Sequence, residues 1–431
     1  MQDTGADIAI VGAGIAGLSA ALALVEHHGQ APNRPRIVIL EAGETVGGRT
    51  RTVTAGNGNP VDLGAHWFHG GEANPFFQWV RARYRDRLSF VENPHDPRFA
   101  LTVGAAEARY RDEGLRRLRN AYNLFKSARP DEDCSLAALA RQAGDPQAQA
   151  VAGYFARNWM AVESPDLVSA DEFFGDPFGP GGIQVVGGIG QVATLMAAEL
   201  DQAGLPIEMR RRVVAIEQSG AGCVLTTADG TACRTSKAIV TVAAGVLQQG
   251  GIRFDPPLTA AARGHIDDLG IACLTKIILP VRPEFFTERA VASDTHVSLF
   301  RAESSLFCHV RSTGSSTVTI FGGGDFARYL ETLPRDQVAG LAFEALDTVP
   351  QLAGVKDHLD GEVIVTGWNT DPLFHGSYTA IRPGARRCGP LVEGRIVLAG
   401  EAFVDAPAKG PSMMIGAWYS GREAAALLDT I

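Results

Sequence analysis

The tightest constraint on this chain is a glycine turn, Gly12-Ala13-Gly14-Ile15-Ala16-Gly17, set between an apolar run at Ile8 to Val11 and a helix-forming stretch from Leu18 to Leu24. The alanines and leucines of that stretch lose little side-chain entropy in a helix. A second apolar run, Arg36 to Leu40, ends on Glu41. Strand, glycine turn, helix, strand and acid in this order predict the opening of a doubly wound α/β domain that holds a dinucleotide. Gly12 permits the tight turn, Gly14 lets the backbone approach a pyrophosphate, and Gly17 lets helix and strand pack closely. The free N–H groups and positive dipole end of the helix then face the phosphates. Glu41, 24 residues after Gly17, is placed to accept hydrogen bonds from a ribose, and a loop from His28 to Pro35 takes up the length. A lone glycine turn is weak evidence; here every flanking element is present.

The next residues choose the dinucleotide. Glu41 to Thr50 contains Gly47-Gly48-Arg49 and resembles the extended glutathione-reductase-type FAD motif, in which paired glycines bring an arginine onto the pyrophosphate. A guanidinium suits that task because its planar fork of donors meets two phosphate charges at once. The expected cofactor is FAD.

Val61-Asp62-Leu63-Gly64-Ala65-His66-Trp67-Phe68-His69-Gly70 narrows the resemblance to the flavin-dependent amine oxidases, the family of monoamine and polyamine oxidases. That resemblance implies Gly64, Ala65, His66 and Trp67 beside the flavin ring; for Trp67 alone, core packing is the alternative. It also implies backbone contact of Val213 with the adenine, and contact of Gly400 and Glu401, in Arg395 to Ala402, with the ribityl and pyrophosphate part. Ser412 and Met413, in Gly410 to Gly421, would lie against the flavin. Trp368 to Thr379 is similar to the segment that delivers one aromatic wall of the amine cage, with Trp368 and Tyr378 as its site residues. Tyr378 can hold an amine through its ring face. Ser377 stands where covalent flavin binders carry cysteine, so the FAD is expected to be non-covalent. Met413 stands where many relatives place a second cage tyrosine.

Lys276 is the most informative single residue. It lies in Cys273 to Leu279, a strand pattern apolar on both faces, and a buried lysine needs a partner. By resemblance it serves the flavin N5 through a water and favours reaction with dioxygen; a snorkelling strand-edge lysine is the alternative.

At 431 residues the chain exceeds one core. We expect a discontinuous FAD-binding domain (1–75, 184–256 and 386–431) and an α+β substrate-binding domain (76–183 and 257–385). Within the latter, Leu115, Leu118, Tyr122, Phe125, Leu136 and Leu139 at helical spacing predict a helical insert. Arg212 to Ile216 and Gly222 to Thr227 predict antiparallel strands, with a turn at Asp229-Gly230. Cys223 and Cys233 flank that hairpin and can face each other there, although free thiols are the expected state of all six cysteines. His66, His69 and His375 form no recognisable ligand set, so no metal is expected. No run reaches about 18 apolar residues, no basic or apolar leader precedes the first strand, and Arg210-Arg211-Arg212 is the densest basic run. The expectation is a cytoplasmic monomer or homodimer acting without nucleic acid or membrane, and the net charge of −9 favours a cationic substrate.

The family resemblance implies oxidation of a polyamine or a primary or secondary amine to imine and then aldehyde, with O2 reduced to H2O2. Glu163 falls where polyamine-oxidising relatives line the substrate tunnel; a solvated loop carboxylate reads equally well. An L-amino-acid oxidase stays open, with Arg301, Arg311 or Arg382 for the carboxylate. So do a desaturase-type enzyme and a catalytically silent flavoprotein.

Overall fold

The two apolar runs beside the glycine turn become adjacent central strands, Ile8–Val11 pairing in parallel with Ile37–Leu40, with Ile8 opposite Ile37 and Val11 opposite Leu40. Every residue of both is buried. Parallel strands covered on both faces read as unbroken apolar runs, which is why neither shows alternation. In this computed structural model, residues 5–29, 34–93, 119–130, 132–144, 146–175, 182–299 and 306–431 are described.

The six-stranded sheet runs Leu391–Glu393, Ile396–Leu398, Lys237–Val240, Ile8–Val11, Ile37–Leu40, Ile207–Glu208. All pairings are parallel except the antiparallel edge strand Leu391–Glu393. The helix after the turn, Ile15–His28, begins inside the glycine turn and buries Leu18, Ala21 and Leu22 against the sheet. The C-terminal helix, Met414–Leu427, shares that core through Ile415 and Trp418.

A four-stranded sheet of Ala232–Thr235, Gly222–Thr227, Val213–Ser219 and Arg253–Asp255 adjoins it. The turn falls at Asp229-Gly230, where Gly230 has φ +81°. The hairpin register corrects one expectation: Cys223 lies opposite Thr235 and Cys233 opposite Leu225, so the two cysteines do not face each other, and all six are free.

The third large sheet is antiparallel, in the order Thr295–Leu299, Leu306–Val310, Thr317–Gly323, Leu274–Pro280, Ile364–Val365. The helices Pro283–Glu288 and Arg335–Leu346 bury Phe285, Val338 and Leu346 against Ile277, Leu279 and Ile320. The two-stranded pair Leu269–Ala272 with Tyr378–Ile381 flanks it. Within 74–176 the described residues form helices at Pro75–Tyr84, 119–128, Leu136–Ala143, Pro146–Asn158 and Ala170–Phe174; Leu115 and Leu118 lie outside the described residues. Among the described residues no helix is long and apolar enough to cross a membrane.

Candidate functional site

All three large sheets contribute to one cavity of about 1120 Å³. It extends from Gly14, Glu41 and Val213 to Lys276, Trp67 and Tyr378. This exceeds the roughly 300–1,000 Å³ of pockets for drug-sized ligands, leaving room for a dinucleotide and a small substrate together.

At the dinucleotide end the glycines divide their tasks. A Cβ on Gly17 would meet the Gly12 carbonyl oxygen at 2.0 Å, so Gly17 sets the helix against the strand and does not line the cavity. A Cβ on Gly14 would meet nothing nearer than the Gly47 carbonyl oxygen at 4.0 Å, so it would project into cavity space beside the helix N-terminus. That open cradle, with free amides behind it, fits a pyrophosphate. Gly12 (φ +103°) and Gly48 (φ +56°) complete the double turn. Glu41 accepts hydrogen bonds from Ala13 N at 2.6 Å and Gly43 N at 2.7 Å. Its carboxylate thus ties the glycine turn to the end of the second strand on the cavity wall.

The middle of the cavity holds a polar chain. Arg49 Nη1 donates to Glu401 Oε1 at 2.9 Å and to the Ser377 carbonyl at 3.0 Å. Glu401 Oε2 accepts from the Thr379 hydroxyl at 2.6 Å, and Ser412 Oγ donates to the Thr379 carbonyl. Arg387 donates to Ser412 Oγ at 2.7 Å and forms a buried ion pair with Glu172. Gly64 sits under Arg49, where a Cβ would come within 1.9 Å of the Arg49 carbonyl oxygen, and Ala65 N donates to that same oxygen. Gly400 (φ +135°) has no protein atom within 4 Å of a Cβ position, so it too leaves space on the cavity wall. Two open glycines, an arginine and a helix N-terminus along one cavity fit the elongated, doubly charged FAD.

At the far end Lys276 is 1 % exposed. Its Nζ donates to the Asp62 carbonyl at 2.8 Å and stands 5.0 Å from the Phe321 ring centroid. Burial pulls its pKa down to about 8, against the pull of Asp62. Trp67 stacks on both Phe321 (5.9 Å) and His309 (5.6 Å) and also lines the cavity. Trp368 Nε1 donates to the Leu63 carbonyl at 3.3 Å, and its ring meets Phe374 edge-on. The Tyr378 hydroxyl donates to the Trp159 carbonyl at 3.3 Å, leaving the ring on the cavity wall with Tyr154, Trp159 and Phe173. Burial raises the Tyr378 pKa, so the phenol stays neutral. Met413 caps the C-terminal helix at the same wall, whereas Trp418 packs on Phe76, outside the cavity lining.

Other candidates lie elsewhere. Glu163 and Arg382 line a separate, smaller cavity. Arg311 donates to the Val291 carbonyl and covers the Phe286 ring. Arg301 lies outside the described residues. Among the described residues His27, His28 and Asp429 are close enough to share an ion, but they do not line the cavity. Sequence reading missed two features. Glu331 accepts from Thr275 Oγ1, Asn369 N and Thr370 N, tying the Lys276 strand to the Trp368 loop. His66 is bonded to Asp62 and to His309, a partner 243 residues away that no local pattern marks.

The comparisons with known proteins agree in direction. A family model described as flavin containing amine oxidoreductase matches residues 15–428. The chain is 26% identical to a polyamine oxidase 1 of Oryza sativa subsp. japonica, over 92% of each chain. It is likewise 26% identical to a lysine-specific histone demethylase 1 homolog 3 of Oryza sativa subsp. indica, over 97% of this chain but 53% of that protein. The chain thus spans about half the length of that demethylase relative. A putrescine oxidase solved with putrescine bound shares its fold, with a TM-score of 0.75 over 100% of both chains at 18% identity.

Proposed function

The chain belongs to the family of flavin containing amine oxidoreductases, and from that premise we propose that it oxidises a small primary or secondary amine, polyamines included, to an imine that water converts to the aldehyde. Dioxygen is the electron acceptor and hydrogen peroxide the product. When bound, FAD supplies the two-electron acceptor for the hydride leaving the amine's α-carbon. The protein supplies position and electrostatics.

The observation that carries the reading is Lys276. An amine buried in the cavity wall, tethered by one backbone carbonyl at 2.8 Å and 5.0 Å from the Phe321 ring centroid, supports a role for Lys276 in stabilising charge that develops during electron transfer. The Tyr378 ring offers electron density to an amine nearby. Glu132, Asp133, Asp171 and Asp405 line the same cavity and favour entry of a cation. Of the arginines considered for an α-amino acid's carboxylate, Arg311 and Arg382 lie outside this cavity; Arg386 and Arg387 line it, the latter paired with Glu172. Among the cavity-lining residues none is cysteine, which supports non-covalent FAD. We keep a cytoplasmic monomer or homodimer without nucleic acid or membrane as part of the proposal; the absence of a longer basic run than Arg210 to Arg212 supports the exclusion of nucleic acid.

Anaerobic mixing of the FAD-loaded protein with monoamines, polyamines and L-amino acids tests this. The expected result is bleaching of the visible flavin band by an amine, reversed by air with peroxide release. Bleaching by L-amino acids alone, or by nothing on the panel, overturns it.

A further inference from the structure

A buried chain of ionisable groups leads away from the reaction end of the cavity. His66 Nδ1 lies 3.0 Å from Asp62 Oδ2, His66 Nε2 lies 3.0 Å from His309 Nδ1, and His309 Nε2 lies 3.1 Å from Asp294 Oδ1. His66 lines the cavity. His309 is fully buried, and the Asp294 side chain, 19% exposed, reaches solvent. Asp62 is the residue whose carbonyl holds Lys276.

The arithmetic of this chain is unusual. Each of its three junctions needs one proton, yet two neutral imidazoles between two carboxylates carry only two. The neutral chain is one proton short, and the protonated chain satisfies every junction. Both states have support. In the short state, the Gln184 amide and the Ser312 hydroxyl, at 3.0 and 3.1 Å, can donate to His66 Nε2. In the protonated state, the terminal carboxylates balance the charge. Asp62 is itself fixed by the Thr52 hydroxyl and Ile189 N, and Asp294 by Thr313 N and the Ser293 hydroxyl. The charged groups facing His66 are Asp62, Lys276 and His309; those facing His309 are Asp294, Lys276 and the His296 ring at 4.5 Å. Burial, helped by the positive field of Lys276, holds His66 down to about 4 and pushes His309 down as well. The extra proton is therefore held weakly, so the chain can pass it on.

We infer that Asp62, His66, His309 and Asp294 form a proton relay between the reaction end of the cavity and solvent. The inference rests on the amine-oxidase reading. An amine enters mostly as its ammonium, as the lysine pKa of about 10.4 indicates. Oxidation of R-CH2-NH3+ to R-CH=NH2+ sends a hydride to the cofactor and releases one proton, which must leave the cavity's reaction end beside the buried Lys276 and His66. A chain one proton short accepts it at the Asp62–His66 junction, on His66 Nδ1, while Nε2–H passes to His309 Nδ1 and His309 Nε2–H to Asp294, so each imidazole takes a proton on one nitrogen and loses one from the other. Reduction of dioxygen to hydrogen peroxide draws a proton back along the same path.

The test follows proton release and bleaching together. FAD-loaded protein is mixed anaerobically with the amine that bleaches it, in weak buffer with a pH indicator read outside the flavin band. In the wild type, one proton is expected to appear in the same phase as bleaching. In Asp294→Asn and His309→Gln, release should lag bleaching by at least about tenfold, and added imidazole should restore it, a rescue that a merely structural role would not produce. Asp294→Asn keeps the hydrogen bonds of a partly exposed loop, so it stays informative even where His309→Gln fails to fold. Wild-type release rates in Asp294→Asn, or a lag insensitive to imidazole, overturn the relay. Absence of bleaching in the wild type would instead overturn the amine-oxidase reading.

Discussion

Lys276 and Asp62 are joined through the backbone rather than as an ion pair: the lysine Nζ donates to the Asp62 carbonyl at 2.8 Å, while the Asp62 carboxylate is turned to His66. The cation is thereby anchored without being neutralised. Its pKa of about 8 follows from burial, which the distant carboxylate offsets only in part.

The first prediction concerns that charge. Reoxidation by dioxygen should be fastest with Lys276 protonated, and should fall as pH rises through about 8. Lys276→Met should slow it about 10²-fold, the scale of losing one electrostatic donor, and should remove that ionisation. The sign for stability is separate. The folded-state pKa lies below the ordinary lysine value of 10.5, so between about 8 and 10.5 the unfolded chain binds more protons and wild-type stability gains from rising pH. The Tm of wild type relative to Lys276→Met should therefore climb across that window. A flat difference would show that Lys276 is not buried as a cation.

Two glycines three residues apart should fail in different ways. Gly17→Ala drives a methyl into the Gly12 carbonyl and should destabilise the fold by about 1–3 kcal/mol or more, lowering Tm with or without FAD. Gly14→Val meets little protein, so the apoprotein should melt near the wild-type temperature while FAD affinity collapses. Flavin content after gel filtration, beside apoprotein Tm, separates the two.

The contrast shows what the sequence can disclose. The glycine turn, its flanking strands and Glu41 lie within one continuous stretch, so their joint function is written in local order. Lys276 was legible because a lysine inside an apolar strand violates the pattern around it. The His66–His309 contact was not, because His309 occupies a fully buried strand, Leu306–Val310, and only the sheet register brings it to His66. The Arg387–Glu172 ion pair, 215 residues apart in sequence, is likewise marked by no local pattern. Long-range polar pairing is fixed by tertiary packing, which no local spacing records.

Acid should probe the histidine chain. His66 is held down to about 4, against 6.5 for a free imidazole, so between those values the unfolded chain binds the extra proton and stability falls as pH drops. A single group of this kind contributes a slope of about 1.4 kcal/mol per pH unit. His66→Asn, which can still bond Asp62, should show a shallower loss from pH 6.5 to 4 in urea unfolding. An unchanged slope would assign the acid sensitivity to other groups.

Tyr378 separates ring from hydroxyl. Its OH serves the Trp159 carbonyl, and its ring forms the cavity wall. Tyr378→Phe should therefore keep most activity, losing about one hydrogen bond of stability, 0.5–1.5 kcal/mol. Tyr378→Ala should raise KM and lower kcat together, because amine and cavity lose the same surface. Equal damage from both substitutions would place the function in the hydroxyl instead.

Glu331 tests positioning at a distance. It lines no part of the cavity, yet its carboxylate accepts from Thr275 beside Lys276 and from the amides of Asn369 and Thr370 just after Trp368. Glu331→Ala removes both acceptor oxygens and leaves the Asn369 and Thr370 amides without their partner, at a cost of about 1–3 kcal/mol. Loosening both segments should lower kcat with little change in KM for the amine, since Glu331 touches neither the expected substrate wall nor the FAD cradle. It should also move the ionisation near 8 upward, as a less tightly buried lysine recovers solvation. A drop in Tm with kcat and the pH profile unchanged would reduce Glu331 to a structural tie.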